Sequence, residues 1–261
     1  MVASLGPPPE EYPPQMLRLL SRAAMAAAIL VSGPVAAGAQ SLSPQQRQEV
    51  ESVLRDYLKR NPEFLIEVLQ AAEEKQQANQ LVRARDTIVA ERKSLVANPA
   101  DPVGGNPKGD VTIVEFFDYR CPYCKQVKPI VEQVLAQDRN VRVVYKEFPI
   151  LGRDSVYASR AALASQKQNK YLAFHHALMA QRGQLTEDAV MTVARDSGLD
   201  VERLKRDMAD PAIEKTIAAN RELAEKIGIR GTPAFIVGDH LAPGAIDPAS
   251  LKAMIDKARK G

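Results

Sequence analysis

The two cysteines of this 261-residue chain stand three positions apart, in Cys121-Pro-Tyr-Cys124, between the apolar run Val111 to Phe117 and a helical pattern over Cys124 to Ala136. A pair this close cannot staple a fold, because any bond between the two closes a tiny loop. Its setting demands a strand that feeds through a tight turn into a helix. Val141 to Phe148 reads as a second strand, which completes a β-α-β unit with short connections. Helical patterns follow between 155 and 208, at Ala158 to Ser165, Tyr171 to Ala180, Glu187 to Ser197 and Val201 to Asp207. After a helix from Ala212 to Ile227, the stretch Pro233-Ala-Phe-Ile-Val reads as a strand. It turns at Gly238-Asp239 into a returning strand, and a helix from Pro248 to Lys260 closes the chain. The order β-α-β, helices, β-β-α is that of an α/β thioredoxin fold with an inserted helical subdomain.

An α-helical extension is expected ahead of that domain. Val50, Val53, Leu54, Tyr57 and Leu58 have helical spacing, with Ser43 as N-cap, Pro44 at the first helical position and Asn61-Pro62 as the stop. A longer pattern follows through Phe64, Leu65, Val68, Leu69, Ala72, Leu81, Val82, Ile88 and Val89. Its apolar stripe needs a partner. It can fold back on the main domain or pair with the same stripe of another copy, and a long helix with little local core favours the second. Homo-oligomerisation through residues 43–97 is therefore expected. The turn formers from Asn98 to Gly109 mark a linker, so the main domain is expected to span 110–261.

At the other end, Met16-Leu-Arg-Leu-Leu-Ser-Arg leads into an apolar run and then Ala37-Gly38-Ala39 before Gln40, the pattern of a secretory signal over residues 1–39 cleaved after Ala39. Met16 is a candidate true start. The run Ala23 to Val31 falls well short of the roughly 20 apolar residues a membrane span needs. An oxidising compartment outside the cytoplasm follows. A net charge of +3 is too weak a bias for a nucleic-acid partner.

In that compartment the Cys pair reads as a reactive dithiol. Cys121 sits where a helix N-terminus leaves N–H groups unpaired and the dipole is positive, which stabilises a thiolate and makes Cys121 the attacking sulfur. Cys124, one turn in, can resolve the mixed disulfide, and Pro122 removes an N–H that would have no partner. The alternative, half of a zinc site, needs two more ligands, and the chain offers only His175, His176 and His240 in no matching pattern. Glu115 interrupts the apolar strand. It is either a buried acid that takes and returns the Cys124 proton or an outward-facing polar position, and alternation alone leaves both open. Thr232-Pro233, before a strand, is a setting for a cis bond that would expose the Thr232 backbone to an extended substrate beside the dithiol. His175-His176 reads as a helix-interface pair, and Arg83, Arg85, Arg92 and Lys93 as a solvated helix face.

Three segments, Glu115-Phe-Phe-Asp-Tyr-Arg-Cys-Pro-Tyr-Cys124, Lys146-Glu-Phe-Pro-Ile-Leu-Gly152 and Gly228-Ile-Arg-Gly-Thr-Pro-Ala-Phe-Ile-Val-Gly238, together resemble the DsbA-like family of bacterial periplasmic disulfide oxidoreductases. The resemblance implies a thioredoxin fold, Cys121 as nucleophile, Cys124 as resolving thiol, Glu115 as buried acid and a cis Pro233. It also implies that Pro122, Tyr123, Thr232 and Pro233 contact substrate, that no cofactor is needed beyond the redox-active Cys121-Cys124 pair, and that a membrane redox partner resets the pair. The archetypal oxidase of the family carries Cys-Pro-His-Cys and a Val before the cis proline, where this chain has Tyr123 and Thr232. Loss of the positive group beside the nucleophile should make the disulfide less oxidising. Thr at that position resembles disulfide isomerases, and the helical extension is similar to that of the ScsC-like branch, linked to copper tolerance, in which N-terminal helices assemble several catalytic domains. Three functions follow as expectations. The leading one is an oligomeric isomerase or reductase of exported proteins, the second a monomeric disulfide oxidase, the third capture of Cu(I) by the reduced Cys121 and Cys124.

Overall fold

The computed structural model describes residues 42–260, so the expected export signal, its cleavage after Ala39 and the alternative start at Met16 lie outside the described residues. The chain divides into two compact units after Asn61. In the first, α1 (Pro44–Arg60) opens with a capping box. Ser43 Oγ accepts from the Gln46 N–H at 3.2 Å, and the Gln46 side chain accepts from the Ser43 N–H at 2.9 Å. Pro62 stops it, and the Asn61 N–H closes its last turn on the Tyr57 carbonyl. No α1 residue is buried within the chain, and Val50, Val53 and Leu54 are more than half exposed.

The second unit opens with α2 (Pro62–Ala90) and α3 (Arg92–Val96). Its sheet comprises β1 (Val103–Gly105), β2 (Val111–Phe117), β3 (Val141–Glu147), β4 (Ala234–Val237) and β5 (His240–Pro243), in the spatial order β1-β3-β2-β4-β5. The parallel pair β2 and β3 is joined by α4 (Pro122–Gln137), and every other pairing is antiparallel. The crossover from β3 to β4 carries α5 (Arg153–Ala164), a 3-10 turn at Ser165–Gln168, α6 (Tyr171–Ala180), α7 (Glu187–Asp196), α8 (Val201–Asp207) and α9 (Pro211–Ile227). The helix α10 (Pro248–Lys260) ends the chain. This is the thioredoxin-like arrangement with a helical insertion.

Central strands buried on both faces read as continuous apolar runs, and β2 is buried at every position except Thr112. Alternation sends Ile113 and Phe117 to the face covered by Val127 and Val131 of α4 and Phe174 of α6. Val114 and Phe116 go to the opposite face, where Ala84 and Ile88 of α2, Leu95 of α3 and Leu223 and Ile227 of α9 close over them.

Two features depart from the expected domain plan. The stretch 98–109, expected as a linker, supplies the edge strand β1, with Val103 in register with Val144. Asp101 is buried there and pairs with the buried Lys146, whose Nζ also donates to the Ser94 carbonyl at 2.7 Å. Gly105 has φ +66°, and a Cβ on it would lie 2.5 Å from the Val141 carbonyl oxygen, so glycine is there for close backbone approach. Second, the C-terminal half of α2 belongs to the sheet-bearing unit. Ala84 and Ile88 are nearly inaccessible, and Arg85 bonds Asp239 in the β4–β5 turn at 2.6 Å. The apolar stripe of α2 is thus covered at one end by its own domain, while Leu65, Val68 and Leu69 toward the other end stay about half exposed.

Candidate active site

The strand-to-helix junction places the dithiol. β2 ends at Phe117, three residues turn, and Cys121 becomes the N-cap of α4 with Pro122 at its first position. Both cysteines are free thiols. Cys121 is 4% exposed, and Cys124, one turn deeper, is fully buried. Cys121 Sγ donates to the Thr232 carbonyl at 3.2 Å, and the Thr232–Pro233 bond is cis. Six of the expected site residues therefore meet at one place: Cys121 and Cys124 on α4, Pro122 and the 60% exposed Tyr123 between them, and Thr232 and Pro233 across from Cys121.

Glu115 falls on the dithiol side of the sheet, in phase with Ile113 and Phe117 and in register with Tyr145 and Phe235 on its neighbours. Its side chain is buried, so it is not the outward-facing polar position that the sequence left open. Burial pushes its carboxyl up to about 8, so the group holds a proton at neutral pH and can release it nearby. The Cys124 thiol is pushed far up, first by burial and further by the charges of Cys121 and Glu115.

The turn itself is held by side chains the sequence reading did not single out. Asp118 is fully buried. Its Oδ1 accepts from the Arg120 N–H at 2.7 Å and from Ser155 Oγ at 2.8 Å, and its Oδ2 accepts from the N–H groups of Ile150 and Leu151 at 2.9 and 3.0 Å. The next residue, Tyr119, points its hydroxyl into the helical subdomain. It donates to Glu147 Oε1 at 2.9 Å and lies 3.0 Å from His175 Nδ1, and the Tyr171 hydroxyl donates to the same carboxyl oxygen at 2.7 Å. Burial lifts the Glu147 carboxyl to about 8, with the hydrogen bonds from Tyr171 and Tyr119 opposing the shift, and burial holds His175 well below the usual histidine range. His175 is thus a neutral interface residue stacked on Tyr171 and met edge-on by Phe117 and Tyr119, with Tyr145 tilted against it. Arg120 completes the clamp by donating to the Leu151 carbonyl at 2.6 Å. Three consecutive side chains thereby tie the residues before Cys121 to the loop at 149–152, the end of β3, α5 and α6. One signal could have found Glu147: it breaks an apolar strand in the same phase as Tyr145, as Glu115 does in β2.

Among the described residues no group of three or more His, Cys, Asp or Glu side chains is placed to hold a metal ion, and no helix is long and apolar enough to cross a membrane.

Residues 112–256 match the DSBA-like thioredoxin domain, and residues 46–79 match the N-terminal domain of the copper resistance protein ScsC. A thioredoxin-like oxidoreductase from Silicibacter pomeroyi is 50% identical, with a TM-score of 0.64 over 65% of this chain and 98% of that one. Proteus mirabilis ScsC in a transitional conformation is 31% identical, with a TM-score of 0.62 over 84% of this chain and 99% of that one. Among curated proteins, the Na(+)/H(+) antiporter NhaA 1 of Salinispora arenicola is 30% identical over 62% of this chain, and the match spans only 26% of the antiporter's own length. With the matched segment covering more than half of its length, the chain belongs to the DSBA-like thioredoxin domain family.

Proposed function

We propose that this chain is an exported thiol–disulfide oxidoreductase that acts on cysteine-bearing client proteins, as an oligomeric isomerase or reductase. The observation that carries the reading is the placement of Cys121 Sγ at the N-cap of α4, 3.2 Å from the Thr232 carbonyl, with Cys124 buried behind it on the side of the sheet that holds Glu115. In the reductive direction the Cys121 thiolate attacks a client disulfide, forming a mixed disulfide and expelling one client thiolate. Cys124 then attacks Cys121 Sγ, its proton passing to the ionised form of Glu115 and on to the second client sulfur as that sulfur leaves. Two electrons pass to the client, and the two protons of the protein dithiol end on the client thiols. In isomerisation the client's own thiol resolves the mixed disulfide and the protein pair returns to its starting state.

The oligomeric part of the reading rests on the exposed apolar residues Val50, Val53 and Leu54 of α1 and Leu65, Val68 and Leu69 of α2, together with the match of 46–79 to the ScsC N-terminal domain. Several dithiol domains on one client raise the local thiol concentration and favour reshuffling. A second reading, a monomeric oxidase, draws on the fold-back of Ala84 and Ile88 onto the chain's own core. A periplasmic location and a membrane redox partner belong to both. Capture of Cu(I) by the reduced Cys121 and Cys124 is the remaining alternative, marked by copper binding that vanishes when the pair is oxidised.

Refolding of a scrambled multi-disulfide protein by the mature chain, beside a Val53→Glu/Leu69→Glu variant, tests the choice. The isomerase reading expects native disulfides from the parent chain and only oxidation of reduced client by the variant. Equal isomerisation by both would remove the helices from the mechanism, and oxidation without isomerisation by both would select the monomeric oxidase.

A further inference from the structure

Next to the nucleophile's turn runs a groove of about 610 Å³ for which the exchange chemistry has no use. One wall is the 149–152 loop and the other is α5 with the neighbouring part of α9. It is contiguous with the dithiol through one residue. Arg120, which immediately precedes Cys121, bonds the Leu151 carbonyl at 2.6 Å, and a Cβ on Gly152, a lining residue, would sit 3.3 Å from Arg120 Nη1.

The lining carries three arginines and one carboxylate. Arg153, Arg160 and Arg221 face Glu187 alone, over an apolar floor of Ile150, Val156 and Tyr157. The arginines have donors to spare. Arg160 gives one Nη2 to the Met208 carbonyl at 2.9 Å, while its buried Nε has no hydrogen-bond partner among the described residues. Arg221 makes one long contact, 3.5 Å, to the Pro149 carbonyl. A planar carboxylate is the group that the guanidinium forks of Arg153 and Arg221 fit.

We infer that this groove binds an acidic stretch of the extended client chain, and so selects clients that carry Asp or Glu close in sequence to the cysteine under attack. The inference rests on the oxidoreductase reading and names its substrate class. Positive charge along the groove speeds encounter with such clients, and the apolar floor accepts the aliphatic part of their side chains. An extended strand advances about 3.3 Å per residue, so the span between groove and Cys121 sets how many residues separate the favoured carboxylates from the reacting sulfur.

The test follows reduction of two peptides by the reduced full chain. Both carry one intramolecular disulfide. One has Asp-Glu-Asp, the other Asn-Gln-Asn, four residues from the first cysteine, with a second pair carrying the triplet on the other side. The dithiol passes two electrons and two protons to each peptide and becomes the protein disulfide. At low ionic strength the second-order rate constant for one acidic peptide is expected to exceed that of its neutral partner by about tenfold. That preference is expected to shrink with added salt, and to fall toward one in Arg153→Gln and Arg221→Gln. Equal rates for acidic and neutral peptides, with both reduced, would overturn the groove's role and leave the oxidoreductase reading standing. A preference that persists in both variants would also overturn it. Failure to reduce any peptide would overturn both.

Discussion

At the scale of single residues, two buried carboxyls on one face of the sheet set the pH behaviour of the molecule. Glu115 has its folded-state value raised from 4.5 to about 8, so between those values the folded chain keeps a proton that the unfolded chain has lost. Stability contributed by this group is complete below about 4.5 and falls as pH rises toward about 8, by at most about 5 kcal/mol. Glu115→Gln is therefore expected to raise the denaturation midpoint above pH 8 and to flatten its decline across that window, as measured by urea titration at several pH values. The same variant should slow resolution by Cys124 by about 100-fold, so that the mixed disulfide on Cys121 accumulates in rapid-quench mass analysis. Asp118→Asn replaces one carboxylate oxygen by an amide NH2, which cannot accept from the N–H or O–H donors that oxygen faces, and should cost about 2 to 4 kcal/mol. Cys121, Cys124, Thr232 and Pro233 were legible because their meaning lies in adjacent residues and in their position at element ends. Asp118, Tyr119 and Glu147 were not, although they stand in the same motifs, since apart from the Arg120 N–H their side-chain partners are 24 or more positions away and only the folded chain brings them together.

Among the elements, β2, α4, β3 and the β4–β5 hairpin were readable from apolar runs and turn residues, and the insertion from helical spacing. β1 was not. Val-Gly-Gly among turn formers has little strand propensity, and this strand exists because β3 offers an open edge and Asp101 answers the buried Lys146. Gly105→Ala should accordingly destabilise the domain by about 2 kcal/mol or more, through its positive φ and the closeness of the Val141 carbonyl. A freely jointed linker would show no change by thermal melting. The double nature of α2 was equally hidden, since an apolar stripe does not say which partner covers which half. Ile88→Ala should cost about 2 to 4 kcal/mol as a core truncation, and so place this turn of α2 inside the catalytic unit.

For the whole molecule, the proposed exchange site in the α/β domain is preceded by helices whose exposed apolar residues are proposed to pair with a second copy. Association of that kind makes the melting midpoint rise with protein concentration, and Val53→Glu should abolish the dependence while leaving the midpoint of the sheet-bearing unit unchanged. The exchange chemistry itself is tested most directly by trapping. When Cys124→Ser is incubated with a disulfide-bonded client and quenched with acid, mass spectrometry should find one client joined through Cys121 in nearly every molecule, and none when Cys121 is also replaced by Ser. No adduct, or an adduct independent of Cys121, would contradict the assignment of Cys121 as the attacking sulfur.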